Sequence, residues 1–310
     1  MKDNFYYFKE SIRNKEKLDP RYMFLSWSEN IDALVETTKE IKELIVTIKQ
    51  TNLSGGDSKI FYDKLYELTL SENGKKNEFN CFVNACDSTL GTVSKYPETF
   101  KMIVDLYIEN RGVSEHTPRE WIQALIDKGS QRGLGNVGEE KLIELAVEKG
   151  FIKVNDFDSF LANDYAVSKY SSEINTAAIN KLLGYNINFR SQGKKLDVVL
   201  KAKNKFFLIE AKHIKDSGGA QNKQIGELIG LIDTNVPKDV YVVAFMDGIY
   251  SNEILDLTDI QVNNSFEIGE HGENKLVSQK IEIVDALHNN DNAFWLNTAG
   301  YLKLIEDLIC

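Results

Sequence analysis

Residues 194–200 read KKLDVVL and residues 206–214 read FFLIEAKHI, and these two apolar runs decide the fold of the chain. They predict two neighbouring β-strands, with the polar Lys203–Lys205 as the turn between them. Side chains alternate between the two faces of a strand, so Glu210 and Lys212 share one face. Charged groups on such an apolar strand are costly unless they are paired or bind a metal ion. The second strand therefore predicts either a functional site or an internal ion pair.

The first strand brings a third charged group to the same place. Asp197 directly precedes Val198, and we expect its carboxylate to lie near Glu210 and Lys212. Two carboxylates and a lysine that converge at the edge of a sheet can hold a divalent cation and a water molecule. The alternative is a structural Glu210–Lys212 ion pair, with Asp197 as an ordinary turn residue.

The spacing of these residues matches a known signature. Asp197, a gap of twelve residues and then Glu210-Ala211-Lys212 resembles the D…(D/E)xK signature of PD-(D/E)xK nucleases. Within that superfamily the whole chain is most similar to a type II restriction endonuclease. Leu196 stands where the signature has proline. The signature is short, but its setting between two apolar strands, followed by a glycine turn and a helix, makes the match more specific.

The resemblance implies a fold and a mechanism. The fold is α/β, a restriction-endonuclease-like core with a mixed central sheet flanked by helices, preceded by a mostly helical N-terminal subdomain. Asp197 and Glu210 would bind Mg²⁺ together with the backbone carbonyl of Ala211, and Lys212 would orient or activate the attacking water. An acidic residue on a helix after a glycine-rich turn often approaches the metal ions in such enzymes, and Glu139 has that position.

The resemblance also implies substrate and partners. Enzymes of this kind cut double-stranded DNA at a short specific site and leave 5′-phosphates. They are usually homodimers, because a palindromic site demands two-fold symmetry. They work beside a cognate DNA methyltransferase. Two alternatives stay open. One is a structure-specific repair or junction nuclease on the same core, and the other is a DNA-binding protein that keeps a catalytically dead nuclease fold.

The distribution of charge is uneven. The chain carries a net charge of −10, yet nine Lys and Arg residues lie between Arg190 and Lys223 against three acidic residues. A basic island in an acidic chain suits a DNA-binding cleft, although a solvated surface explains a run of charge equally well. A helix that starts after the glycine turn adds polar groups and an N-terminus that favours phosphate. The residues expected to contact DNA are Arg190, Lys194, Lys195, Lys215, Gln221, Asn222, Lys223 and Gln224.

The first part of the chain reads as mostly helical. Three- and four-residue spacing of apolar residues, together with proline and capping signals, predicts helices near 31–48, 60–71, 79–93, 98–109 and 118–128. We expect residues 1–130 to form a helical subdomain, used either for DNA recognition or as scaffolding. The glycine-rich stretch 130–138 marks the boundary, and residues 131–310 form the predicted catalytic domain.

The second part of the chain mixes helices and strands. Helices are expected near 139–149, 172–183, 220–233 and 301–308, and further strands near 185–190, 239–246 and 281–284. Counting back from the apolar stripe of the first of these helices places Glu139 on the inward side and Glu140 in solvent.

Composition limits the class of protein. With 42% apolar and 27% charged residues, the chain is that of an ordinary globular protein. No apolar run is long enough to span a bilayer, and the first residues lack the apolar core of a signal peptide. Three cysteines without metal-type spacing indicate free thiols, so a cytoplasmic protein is expected.

Overall fold

The computed structural model describes residues 1–22, 31–75, 77–86, 88–112, 121–122, 124–125, 136–189, 196–214, 218–258, 261–262 and 275–310. The chain divides into two compact units. The sheet unit comprises Met1–Met23 and Gly135–Cys310, and the helical unit comprises Phe24–Leu134. The predicted domains, 1–130 and 131–310, differ from this division mainly because the first 23 residues belong to the sheet unit.

The N-terminal helix explains that difference. Helix α1 (Asn4–Arg13) buries Tyr7 and Phe8 completely. Its Ser11 hydroxyl accepts a hydrogen bond from the backbone N–H of Asn297, whose side-chain amide donates to the Ser11 carbonyl. These partners lie nearly 300 residues away in sequence, so no local pattern could assign α1 to this unit.

The helical unit follows the predicted periodicity. Its helices are α2 (Ile31–Leu53), α3 (Lys59–Leu70), α4 (Glu78–Ala85), α5 (Leu90–Val93) and α6 (Pro97–Asn110). The predicted helices near 31–48, 60–71 and 98–109 are confirmed, whereas the one near 79–93 is two shorter helices. The helix expected at 118–128 lies mostly outside the described residues. The core of this unit includes Ile41, Ile45, Ile48, Leu65, Phe79 and Phe100.

A six-stranded mixed sheet forms the centre of the sheet unit. Its strands are β1 (Ile152–Lys153), β2 (Tyr165–Lys169), β3 (Val198–Ala202), β4 (Lys205–His213), β5 (Val240–Asp247) and β6 (Ala293–Leu296), and they lie side by side in chain order. The β2–β3 and β3–β4 pairs are antiparallel and the others are parallel. This mixed α/β architecture is consistent with the predicted restriction-endonuclease-like fold.

Helices cover both faces of the sheet. They are α7 (Val137–Glu148), α8 (Phe157–Ala162), α9 (Thr176–Leu183), α10 (Gly219–Ile232), α11 (Ser251–Ile254), α12 (Lys275–Asn289) and α13 (Thr298–Ile309). Alternating residues of β4 enter two separate cores, one on each face of the sheet. Phe206 and Leu208 pack with α10 and α12, whereas Phe207 and Ile209 pack with α7 and α13.

Two predicted strands are wrong. Residues 185–189 form no strand, and Gly184 before them adopts the left-handed conformation that ends α9. Residues 281–284 belong to α12, whose buried Ile281, Val284 and Leu287 recur at helical spacing. Helix α9 also starts later than expected, at Thr176, because the Asn175 side chain accepts a hydrogen bond from the Ala178 N–H and caps it there.

The strands β1, β2 and β6 were not predicted. They are two, five and four residues long, too short for a reliable alternation pattern. Among the described helices, none is both long and apolar enough to cross a lipid bilayer.

Candidate active site

Asp197 is held at the point where β3 begins. Its backbone N–H donates to the carbonyl of Ile209 at 3.0 Å, and its carbonyl accepts from the N–H of Tyr170 at 3.0 Å. Its Oδ2 accepts from the Ala211 N–H at 2.7 Å. The backbone is thus fixed from both neighbouring strands and the side chain from β4, so the carboxylate has a defined place.

Glu210 and Lys212 lie on one face of β4, as the alternation predicted. The Lys212 ammonium is 2.7 Å from Glu210 Oε1 and 3.9 Å from Glu227 Oε2, on α10. Glu210 is only 3% exposed. Burial lowers the pKa of Lys212, but Glu210, Asp197 and Glu227 raise it by more, so the net pKa lies above the ordinary value. The lysine is therefore charged at neutral pH.

The pKa of the Asp197 carboxyl is raised from 3.8 to about 6. Burial is the largest cause, and the negative charge of Glu210 adds to it. The Ala211 N–H and the Lys212 ammonium favour the charged form and oppose the rise, while Glu139 contributes to it. Glu210 and Glu139 therefore both act electrostatically on Asp197, and a cation between the carboxylates would relieve this repulsion.

This shift predicts a stabilising effect of Asp197→Asn at high pH. A raised folded-state pKa contributes stability that is complete below the unfolded pKa and is lost as pH rises through the folded pKa. The rise from 3.8 to about 6 corresponds to roughly 1–3 kcal/mol. Near neutral or higher pH without metal ions, the variant should be more stable by that amount, because asparagine still accepts from Ala211 but carries no charge.

Urea unfolding in a chelator tests this expectation at two pH values. The wild type and Asp197→Asn should converge near pH 4 and separate near pH 8. A variant that is equally stable or less stable than the wild type near pH 8 would show that the surroundings of Asp197 do not disfavour its charged form.

The donors at this site fit Mg²⁺. Carboxylate and carbonyl oxygens suit that hard cation, which commonly keeps several waters. In a β-strand, the N–H and C=O of one residue point to the same side. The Ala211 N–H points to Asp197, so the Ala211 carbonyl points to the same side as that carboxylate. Across the ranges that the structure describes, no three His, Cys, Asp or Glu side chains are grouped to hold a metal ion. The candidate donors are therefore two carboxylates, one carbonyl and water.

Glu139 lies on the first turn of α7 beside Lys169, the last residue of β2. The Lys169 ammonium is 3.6 Å from Glu139 Oε2 and 3.2 Å from Glu140 Oε1. Glu139 is the less exposed of the two acids, at 23% against 59%. A Cβ atom added to Gly138 would lie 3.6 Å from the Ala211 Cβ, so the helix start approaches β4 closely. Glu139 is thus near the candidate site, with its carboxylate held by Lys169.

The residues expected to contact DNA are only partly described. Arg190, Lys194, Lys195 and Lys215 lie outside the described residues. Gln221, Asn222, Lys223 and Gln224 stand at the start of α10, as predicted. Gln221 is half-buried and folds over Gly218, where an added Cβ would lie 2.6 Å from its Oε1. Asn222 lies 3.4 Å from the buried Gln279, and Lys223 is exposed.

The basic island in the sequence is not one cluster in space. Lys201, Lys203 and Lys205 lie at the turn end of the β3–β4 hairpin, several residues along the strands from Asp197. The Lys201 ammonium donates to the Asn163 carbonyl, and Lys203 and Lys205 lie over the rings of Tyr165 and Tyr241. A strand rises about 3.3 Å per residue, so these three residues lie roughly 13–23 Å along the strands from Asp197 and Glu210. The charge count therefore overstates the local positive charge.

Sequence reasoning missed a buried ionic cluster on the opposite face of the sheet. Lys141 of α7 contacts Asp247, the last residue of β5, and Asp19. His213 pairs with Asp247 at 3.9 Å and stacks on Tyr22, with 3.7 Å between ring centroids. Two signals were available. A carboxylate ends the apolar run of β5, and a lysine stands four residues before the buried Leu145.

Comparison with known protein families places the chain in a family of type II restriction enzymes. The model of the Tsp45I type II restriction enzyme family matches residues 32–254, which include Asp197, Glu210 and Lys212. The chain belongs to that family. Membership implies a nuclease that acts on DNA. No curated protein and no solved structure is significantly similar to the chain.

Proposed function

We propose that this protein is a site-specific type II restriction endonuclease that hydrolyses phosphodiester bonds of double-stranded DNA with Mg²⁺ and leaves 5′-phosphates. The observation that carries the proposal is the arrangement of Asp197, Glu210 and Lys212 at adjacent ends of two central strands. The raised pKa of Asp197, which Glu210 and Lys212 both influence, favours a functional site over an internal Glu210–Lys212 ion pair with Asp197 as a turn residue.

Asp197, Glu210 and the Ala211 carbonyl would hold the metal ion. A bound Mg²⁺ lowers the pKa of a water molecule and stabilises negative charge on the attacked phosphate. Asp197 accepts from the Ala211 N–H, which fixes its carboxylate beside that carbonyl. Glu139 is proposed to approach the same site from α7, because its charge already raises the pKa of Asp197.

Lys212 is proposed to orient the attacking water and to stabilise the transition state. Its pKa is raised, so the ammonium keeps its proton at neutral pH and acts as a hydrogen-bond donor and a positive charge. Glu210 and Glu227 hold the ammonium from two sides and limit its rotamers. In the reaction, the water oxygen bonds to phosphorus as the bond from phosphorus to the 3′-oxygen breaks. The water gives up a proton to solvent, the 3′-oxygen takes one up, and the lysine charge balances the extra negative charge in between.

The proposed DNA contacts lie around this site. The N-terminus of α10 offers backbone N–H groups and the polar Gln221–Gln224, which suit a phosphate and base edges. Arg190, Lys194, Lys195 and Lys215 are close in sequence to the same strands and remain proposed phosphate contacts. The helical unit carries 17 acidic and 13 basic residues, so any role it has in recognition does not rest on net positive charge.

We propose that the protein acts as a homodimer alongside a DNA methyltransferase. A short palindromic site is cut in both strands most simply by a homodimer with two-fold symmetry. A nuclease of this kind would also need a cognate DNA methyltransferase that protects the host DNA at the same site.

Digestion of long DNA tests the proposed function. Purified protein is incubated with unmethylated phage-length DNA in Mg²⁺ and in a chelator, and the fragment ends are sequenced. We expect discrete fragments with 5′-phosphates in Mg²⁺ only. Smearing, or nicking that depends on DNA structure, would favour a repair or junction nuclease. Tight DNA binding without any cutting, on methylated DNA as well, would favour a catalytically dead DNA-binding protein.

A further inference from the structure

A fully buried ion pair joins α7 to the end of β5. The Lys141 ammonium lies 3.0 Å from both carboxylate oxygens of Asp247, and also 3.0 Å from Asp19 Oδ2. The side chains of Lys141 and Asp247 are 1% and 2% exposed. Removing two charges from water costs several kcal/mol per ion, and apolar residues of similar volume often stabilise a fold equally well. Fold stability alone therefore does not explain this pair.

The pair lies on the other face of the sheet but is linked to the candidate active site through β4 and α7. Asp247 is the register partner of His213, the residue after Lys212. Lys141 follows Glu139 by two residues on the same rigid helix. Gly138, one residue before Glu139, approaches both strand β4 and the N-terminal segment. A Cβ atom there would lie 3.6 Å from the Ala211 Cβ and 3.3 Å from the Tyr22 hydroxyl.

Neighbouring groups hold the Asp247 carboxylate in a fixed orientation. Burial raises the pKa of Asp247, but His213, Lys141 and Tyr22 lower it by more, so the net pKa lies below the ordinary value. The Gly248 N–H donates to Asp247 Oδ1 at 2.7 Å, which sets the orientation of the carboxylate. The ammonium hydrogen-bonds to both carboxylate oxygens, and these hydrogen bonds fix the orientation of the two side chains in a way that apolar packing does not.

We propose that Lys141 and Asp247 are positioning residues for the metal site. Their ion pair clamps the first turns of α7 against the ends of β4 and β5. It thereby sets where Glu139 and the Ala211 carbonyl lie relative to Asp197. This inference deepens the proposed nuclease function and rests on it. Residues that hold metal ligands in place typically change metal affinity or activity 10- to 100-fold when they are replaced.

A double variant that removes both charges separates a positioning role of the pair from its contribution to the free energy of unfolding. In the double variant Lys141→Met with Asp247→Asn, neither buried charge of the pair remains, and asparagine still accepts from Gly248. Asp19 loses its contact with Lys141 but keeps its ion pair with Arg21. The matched control is Lys149→Met with Glu306→Gln. That ion pair, at 2.6 Å and partly exposed, joins the other end of α7 to α13. Both double variants should unfold in urea near the wild-type midpoint.

Two measurements are made on each protein. We expect the Lys141/Asp247 double variant to need about tenfold more Mg²⁺ and to cleave at a kcat about tenfold lower, with little change in the KM for DNA. Amide hydrogen exchange within residues 137–144 should be at least about tenfold faster than in the wild type. The control should change neither.

The proposed positioning role is wrong if the Lys141/Asp247 double variant keeps the Mg²⁺ dependence, the kcat and the amide exchange of the wild type. Unaltered exchange with reduced cleavage would also overturn it, because α7 would then not have moved. A wild-type protein that cuts no DNA would refute the proposed function instead. In that case exchange in residues 137–144 still decides whether the pair holds the helix.

Discussion

Replacing Lys212 by methionine is expected to lower the single-turnover rate of DNA cleavage by on the order of 10³-fold, with DNA binding retained. Methionine keeps an unbranched apolar side chain as far as Cε but removes the ammonium that lies between Glu210 and Glu227. Without that charge, the attacking water loses a hydrogen-bond donor and the transition state loses a balancing cation. The rate constant is measured with enzyme in excess over a short duplex that carries the mapped site.

A lysine on the same strand provides the control. Lys205 begins β4 at the opposite end and lies 5.6 Å from the centroid of the Tyr241 ring. Lys205→Met removes an equal charge from the same strand, and its cleavage rate should stay within about twofold of the wild type. Lys205 is partly exposed, and charges at the surface that lie more than a Debye length from the site are largely screened. Equal losses in the two variants would mean that Lys212 acts only through general attraction of DNA. Wild-type cleavage by Lys212→Met would remove the lysine from the mechanism.

Replacing Lys141 alone by methionine is expected to lower the free energy of unfolding by about 3–5 kcal/mol. The single variant leaves the carboxylate of Asp247 buried at the end of β5 without the ammonium that bonds both its oxygens. Adding Asp247→Asn removes that stranded charge, so the double variant should recover most of the loss. Urea unfolding followed by circular dichroism gives both values.

The surface pair on the same helix shows what an ordinary ion pair contributes. Lys149→Met breaks the Lys149–Glu306 pair, whose side chains are 36% and 42% exposed, and should cost less than about 1 kcal/mol. If Lys141→Met also lowers the free energy of unfolding by less than about 1 kcal/mol, the buried pair is not an ionised, tightly held contact.

The hairpin that carries the candidate site could be predicted because its information is local. Strands β3 and β4 are adjacent in sequence, their apolar runs are clear, and alternation alone places Glu210 and Lys212 on one face. The antiparallel register then brings Asp197 opposite Glu210. The helix that begins near Glu139 was equally readable, because its apolar stripe and Gly150 mark its inward face and its end.

Features that depend on distant contacts could not be read in the same way. The strands β1, β2 and β6 are short, and neighbours far along the chain define them as strands. Helix α12 was mistaken in part for a strand, because Ile281 to Val284 contains apolar residues at both periods. The contacts of Lys141 with Asp247 and of Lys169 with Glu139 join residues from separate elements, which no spacing rule reveals.

Charge counting along the chain failed for a related reason. Residues close in sequence on a hairpin can lie at opposite ends of it, as Lys203 and Lys212 do. The exposed and buried members of such a run also differ in function. Lys201, for example, is 6% exposed, and its ammonium donates a hydrogen bond to a backbone carbonyl within the fold.

We infer that the carboxylates at the ends of β3 and β4 make this protein a metal-dependent endonuclease. Side-by-side digestion of unmethylated phage-length DNA by the wild type and by Glu210→Gln, each in Mg²⁺ and in a chelator, tests it most directly. Discrete fragments are predicted only for the wild type in Mg²⁺, and the identically purified variant controls for contaminating nucleases. The same fragments from Glu210→Gln, or from the wild type in the chelator, would contradict the claim.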